Sequence, residues 1–315
     1  MGPSTGASGW IGSAVVDEVL AAGHEVVGLA RSDSAAESAA AAGAEVCRGD
    51  LSDLELLRVT AAESDGVVHL AFRHDVAFSG DFDTAVASDR AAIEALGEVL
   101  AGTGRPLAVA SGLPFKPGEL STERDMPEPF PGPGGRVLNE RAVLALAERG
   151  VRSMSVRFAP TVHGKGDNGF VARIVAADRE AGQAAYIGQG TNRWPAVHRS
   201  DAARLVRLGI EGAPAGSVLH AVGEQGVALR TVAEEIGHGL DLPITSITPE
   251  QAETHFGFLA QFLARDMPAS NTLTRELLPF EPTGPGLLTD LRQWHYFTGV
   301  TGSTTVARAP LSDAA

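Results

Sequence analysis

Three glycines spaced three apart, Gly6, Gly9 and Gly12 in Thr5-Gly6-Ala7-Ser8-Gly9-Trp10-Ile11-Gly12, carry the clearest chemical meaning in this chain. In such a loop the first glycine permits a tight turn. The second lets backbone approach a pyrophosphate, and the third lets a helix pack closely on a strand. A helix opening there turns free N–H groups, and the positive end of its dipole, toward phosphate oxygens. Ser8, Trp10 and Ile11 lie between the glycines and belong to the same candidate cradle. About 20 residues beyond such a loop, the end of the next strand meets the ribose. Here it reads Ala30-Arg31-Ser32. A carboxylate there would accept from a 2′-hydroxyl, whereas a guanidinium suits a 2′-phosphate. Arg31 and Ser32 therefore point to NADP ahead of NAD. The alternative is a solvated Arg31 with Asp33 at the ribose.

These residues need a scaffold. Helical spacing over residues 10–22 is followed by a β-branched run at 24–30, an Ala-rich helix at 35–42 and a strand at 44–48. A helix at 54–62, strand at 66–71, helix at 85–101 and strand at 106–110 continue the alternation, and 136–149 and 152–158 close it. Strands separated by helices imply right-handed crossovers and an α/β, doubly wound parallel sheet. Residues 112–135 hold six prolines and five glycines, a long loop of the kind that is often functional. Beyond 159 the alternation weakens, with helical stretches at 168–180, 200–211, 229–240 and 249–265. The expected division is a dinucleotide-binding domain of residues 1–158 and 195–223, a smaller C-terminal substrate lobe of 159–194 and 224–298, and a disordered tail at 299–315.

One element is short. Only Met1-Gly2-Pro3-Ser4 precede the glycine loop, where a central strand belongs, and Gly and Pro are poor strand residues. A misassigned start that removed the real strand is the preferred explanation. A truncated first strand lying in the slot with few ladder bonds is the other.

The chain has 315 residues with 25 basic and 39 acidic side chains, a formal net charge of −14. Such a chain repels nucleic acid and anionic membranes, so neither is an expected partner, and an anionic ligand must be held by local donors. A single cysteine, Cys47, excludes an internal disulfide and fits a reducing compartment. With neither a leader pattern nor an apolar run of spanning length, a cytoplasmic location is expected. No His, Cys or carboxylate spacing suggests a metal site.

The residues then resemble the extended short-chain dehydrogenase/reductase superfamily, the group of nucleotide-sugar epimerases and dehydratases. Thr5 to Gly12 resembles its glycine loop. Gly49-Asp50-Leu51 resembles the turn where Asp meets the adenine amino group. His69-Leu70-Ala71, with Phe72 following, resembles the strand end that lies along the cofactor. Val109-Ala110-Ser111 resembles the strand delivering the active-site serine, residues 157–164 resemble the strand-loop that borders the nicotinamide and substrate, and residues 194–203 resemble a later segment of the family. The resemblance implies a Tyr–Lys pair four apart on the helix after the serine, with Tyr moving the proton. That pair is absent. The helix reads Gly135-Arg136-Val137-Leu138-Asn139-Glu140-Arg141, and no Tyr precedes Tyr186. The chain thus resembles an atypical subgroup.

Substitutes are few. Arg136 and Glu140 are four apart and are expected to pair on one helix face. Arg136 keeps its proton but can stabilise an oxyanion. Glu140 can donate only if burial raises its pKa. Arg141 is the other cation, and all three also read as a solvated face. Ser111 can bond a substrate carbonyl or cap the loop. His163 is the most able acid by its ordinary pKa, with a structural role as the alternative. Tyr186 and Trp194 can line a substrate pocket or pack in a core. The expectation is an NADP-dependent oxidoreductase acting on a small carbonyl, enone or imine. The alternatives are a non-catalytic dinucleotide-binding sensor or scaffold and an NAD-dependent epimerase or dehydratase. A homodimer through the helices at 85–101 and 136–149 follows from the resemblance.

Overall fold

The computed structural model describes residues 2–130 and 132–298, so the tail expected at 299–315 lies outside the described residues. Strand and helix alternate from the amino end: β1 (Gly2–Thr5), α1 (Trp10–Ala21), β2 (Val26–Ala30), α2 (Asp33–Ala41), β3 (Glu45–Arg48), α3 (Leu54–Ala62) and β4 (Val67–His69). Two helices, α4 (His74–Phe78) and α5 (Phe82–Leu100), lead to β5 (Pro106–Gly112). After the proline-rich segment come α6 (Gly135–Ala145) and β6 (Arg152–Phe158). Next are β7 (Thr161–His163), α7 (Phe170–Ala181), β8 (Ala184–Ile187), β9 (Arg193–His198), α8 (Arg199–Gly212) and β10 (Ser217–Ala221). Seven of these strands form one parallel sheet in the order β10-β6-β5-β4-β1-β2-β3. One apolar core lies on the face under α1 and α8, built from Val15, Val16, Val156 and Leu205 among others. A second lies under α3, α5 and α6, around Leu57, Ile93, Leu96 and Val143.

A strand, β1, occupies the slot before the glycine loop. It has four residues, as β3 does, against three in β4, and it pairs on both sides, with Gly2 opposite Val26 and Ser4 opposite Val68. The Gly2 N–H donates to Glu25 O at 3.0 Å, toward β2. Alternate residues turn their N–H groups to opposite sides, so Pro3, which has none, faces β4, where pairing begins only at Ser4. The small side chains do leave a mark. Gly2 and Ser4 fall on the α1/α8 face and leave a half-open cleft of about 190 Å³ among Val15, Val16, Val19, Val26, Val68 and Ile210, lined also by the exposed His24, Glu25, Asp65 and Glu211. The Ser4 hydroxyl is enclosed with no partner among the described residues.

The C-terminal part adds β11 (Glu224–Ala228), α9 (Leu229–Leu240), β12 (Ile244–Ile247), α10 (Pro249–Phe256), α11 (Ala260–Leu263), α12 (Thr272–Leu277) and α13 (Leu287–Leu291). The helix expected over 249–265 is thus two, opened by a capping box between Thr248 and Gln251 and interrupted by a 3₁₀ turn at Gly257–Leu259. Strands β11, β9 and β7 form a small sheet, and β12 and β8 another. A third core, with Ile174, Trp194, Ile236 and Leu291, sits beneath them. The proline-rich segment is strapped to this part: Ser121 N donates to Pro268 O at 2.9 Å, and Glu123 accepts from Thr274 N and Oγ1, both at 2.7 Å.

Candidate functional site

The glycine loop closes as its spacing requires. Gly6 has φ +77°, and a Cβ there would stand 2.9 Å from Ala71 N. A Cβ on Gly12 would stand 1.9 Å from Gly6 O, so only glycine lets α1 approach the turn this closely. Gly9 is the N-cap of α1 in extended conformation, with no side-chain cap and no acidic residue in the first turn. The first intrahelical donor is Ser13 N, so the N–H groups of Trp10, Ile11 and Gly12 have no helical acceptor. An uncapped helix end over a loop too tight for side chains fits a pyrophosphate. Ser8 is exposed at its rim. Trp10 Nε1 donates to Val162 O at 2.8 Å, tying the β7 segment to the loop.

The neighbouring strand ends line up with it. Leu70 N donates to Thr5 O, and Ala71 N lies 3.4 Å from Thr5 Oγ1. Thr5 begins a buried chain: Thr5 Oγ1 meets His69 Nδ1 at 2.7 Å, His69 Nε2 meets Asp89 at 3.1 Å, and Asn139 donates to the other Asp89 oxygen at 2.7 Å. Burial opposes the Asp89 charge, but the His69 bond and nearby Arg136 outweigh it and hold the carboxyl below its ordinary value. Asp50 folds back on Ser52, accepting from its N–H and hydroxyl, and these bonds lower its pKa. Leu51 is buried beside it. Arg31 is exposed and donates to Asp75 at 3.0 Å, Ser32 caps α2 through Ala35 N, and Asp33 pairs with Arg48.

The helix that lacks the dyad splits its polar residues between two directions. Arg136 donates to Ala110 O at 3.0 Å and lies over the Phe72 ring at 4.4 Å, at the carboxyl ends of β4 and β5. Ser111 stands half-buried at the end of β5, its hydroxyl without a partner among the described residues. The expected Arg136–Glu140 pair is not made. Glu140 turns to β6, where it accepts from Arg157 Nε at 2.7 Å, from Arg157 Nη2 at 3.0 Å and from Ser155. A bidentate guanidinium with both carboxylate oxygens engaged leaves no acid to deliver, which corrects the proton-donor role considered for Glu140. Arg141 is likewise diverted, donating to Pro127 O at 3.1 Å and holding the proline-rich segment.

His163 is also corrected. It is fully buried, and its Nδ1 donates to Asp290 at 2.9 Å, leaving Nε2 enclosed without a partner. Its Nδ1 bond ties it to α13. Trp194 is fully buried against Phe170 in the third core, while Tyr186 lies half-buried under Arg230. No group of three or more His, Cys, Asp or Glu among the described residues is arranged to hold a metal ion. Sequence reasoning missed Arg73, His74 and Asp89. His74 packs edge-on to Phe72 at 5.1 Å, and desolvation followed by the Arg136 charge lowers its pKa. Its nearness to Phe72 in the sequence is the one available signal; the nearness to Arg136 is tertiary.

A family model for the NAD-dependent epimerase/dehydratase family matches residues 5–219. An uncharacterized protein of Schizosaccharomyces pombe is 45% identical over 296 residues, covering 93% of this chain and 98% of its own. An uncharacterized protein of Saccharomyces cerevisiae is 44% identical, covering 91% and 96%. Among solved structures, MoeE5 in complex with UDP-glucuronic acid and NAD superposes with TM-score 0.71 at 24% identity over 93% of this chain and 98% of that one. UDP-glucose 4-epimerase of Thermotoga maritima with UDP-glucose superposes with TM-score 0.75 at 19% identity over 94% and 98%. At these identities the structures speak for the fold alone, whereas the family match spans most of the chain and begins at the glycine loop described above. No helix among the described residues is long and apolar enough to cross a membrane. With its seven-stranded parallel sheet and uncapped glycine-loop helix, the chain belongs to the NAD-dependent epimerase/dehydratase family.

Proposed function

We propose that this protein is an NADP-preferring oxidoreductase for a small carbonyl, enone or imine, with Arg136 facing the substrate atom that gains negative charge. The observation that carries the reading is the placement of Arg136. Its guanidinium is fixed between the Phe72 ring and the carbonyl of Ala110, the residue before Ser111, at the end of the sheet that the glycine loop occupies. A bound dinucleotide supplies hydride chemistry there. Arg136 holds developing negative charge without giving up a proton, and Ser111 adds a neutral donor. The proton comes from water, a route open to imines and enones. The cofactor preference rests on Arg31 at the end of β2, where a carboxylate would suit NAD.

The test has two stages. Energy transfer from tryptophan to nicotinamide measures NADPH and NADH binding, and NADPH oxidation is then followed over a panel of carbonyls, enones and imines. Turnover is expected with some panel member. Arg136→Ala should lower kcat by about a hundredfold or more, in the range seen when one oxyanion donor is removed, with cofactor affinity retained. Tight cofactor binding with no turnover across the panel would overturn the enzymatic reading and favour a dinucleotide-binding sensor.

A further inference from the structure

Four charged residues sit where the strand ends reach the outer end of the cofactor edge. Arg31 leaves the end of β2, Asp50 follows β3, and Arg73 and Asp75 sit at the start of α4. Arg31 Nη1 donates to Asp75 Oδ2 at 3.0 Å. Both groups are exposed, so the bond is weakly held. Asp50 is occupied by Ser52. Arg73 differs from the other three, because its Nε is enclosed and meets no acceptor among the described residues. Asp75 and Asp50 both lie below the ordinary carboxylate range, chiefly through their hydrogen bonds to Arg31 and to Ser52, and both guanidiniums contribute at each. The four groups are therefore one electrostatic cluster.

Two arginines at one point are unusual company in a chain of net charge −14. We propose that Arg73 reads the 2′-phosphate of NADP together with Arg31, and that Asp75 is an internal stand-in for that phosphate, holding Arg31 until the dinucleotide displaces it. The proposal rests on the NADP preference argued above and adds to it a second reader and a competitor. The chemistry favours the exchange in one direction only. A phosphate monoester carries more than one negative charge and three strong acceptor oxygens, so it outcompetes a single exposed carboxylate for a guanidinium. It also offers acceptors to the Arg73 guanidinium, which no acceptor among the described residues holds at Nε. A neutral 2′-hydroxyl cannot displace Asp75. NADPH thus gains both arginines, and NADH gains neither.

The measurement is the ratio of NADH to NADPH dissociation constants for the full chain and three variants, with 2′-phospho-AMP and AMP as nicotinamide-free probes. Arg31→Ala and Arg73→Ala should each weaken NADPH and 2′-phospho-AMP by about ten- to hundredfold, the range for one lost charge-assisted bond. NADH binding should stay within a factor of two or so, which also reports that each variant folds. Asp75→Asn should tighten NADPH by removing the competitor, and leave NADH unchanged. A ratio lost in Arg31→Ala but kept in Arg73→Ala overturns the second reader. An Asp75→Asn variant that binds NADPH no better, or worse, overturns the stand-in. An unaltered chain that shows no NADPH preference overturns the cofactor reading itself, and the proposal with it, before any variant is made.

Discussion

His220 shows how much a single side chain can hide from sequence reasoning. It is fully buried, its Nδ1 donates to Ser270 O at 2.7 Å, and its Nε2 accepts from Arg157 at 3.3 Å. Both bonds require the neutral ring, and burial pushes its pKa down from 6.5 to about 4 against the pull of Glu123. In the unfolded chain the ring takes its proton near pH 6.5. Between those values the unfolded chain binds a proton that the folded chain refuses, so stability falls as pH drops through that window. The loss should be roughly 2–4 kcal/mol by pH 4 relative to pH 7. Urea midpoints at pH 7 and 5 should separate less in His220→Asn than in the unaltered chain, and equal separations would refute the assignment. At this same scale the glycine loop was legible in the sequence, because Gly6, Gly9 and Gly12 are constrained by neighbours a few residues away. His220 was not, since Arg157 and Ser270 reach it from distances of 63 and 50 residues.

Between elements, the decisive contact is the one joining α6 to β6. Glu140 and Arg157 are fully enclosed, and the guanidinium also donates to Asp125 O at 2.9 Å, pinning the proline-rich segment. Removing one member strands the other charge, so Arg157→Met should cost about 3–5 kcal/mol. Replacing both, as Glu140→Leu with Arg157→Met, should recover most of that loss, because two apolar side chains need no partner. Denaturant melts of the two single variants and the double variant would decide it. A double variant as unstable as the sum of the singles would show that the pair is not the unit of stability. The sequence showed that α6 and β6 exist, because hydrophobic period and Gly stops are local signals. It could not show which face Glu140 takes. The helical spacing of Arg136 and Glu140 suggested a mutual pair, but Arg136 is drawn to Phe72 and Ala110 and Glu140 to the interior. The proline-rich segment was visible as a loop, while its anchors at Pro268 and Thr274 lie some 150 residues away, beyond any local pattern.

For the molecule as a whole, the small residues of β1 matter more than its length. The strand keeps its ladder, and what it lacks is bulk on one face, where Gly2 and Ser4 leave space between the sheet and α1. Ser4→Val adds apolar surface there and removes an enclosed hydroxyl with no partner among the described residues, and should stabilise the chain by about 1–3 kcal/mol at ambient conditions. Unfilled space is also volume. The cleft is half open to water past His24, Glu25, Asp65 and Glu211, so only its inner part is void that unfolding eliminates, and the unfolded chain takes up less room by that part alone. Hydrostatic compression therefore works against this fold specifically at the bottom of its central strand. The unaltered chain should lose its tryptophan fluorescence signature at lower pressure than Ser4→Val, with a larger volume change on unfolding. The two chains would then diverge more under a few kilobar than they do on heating.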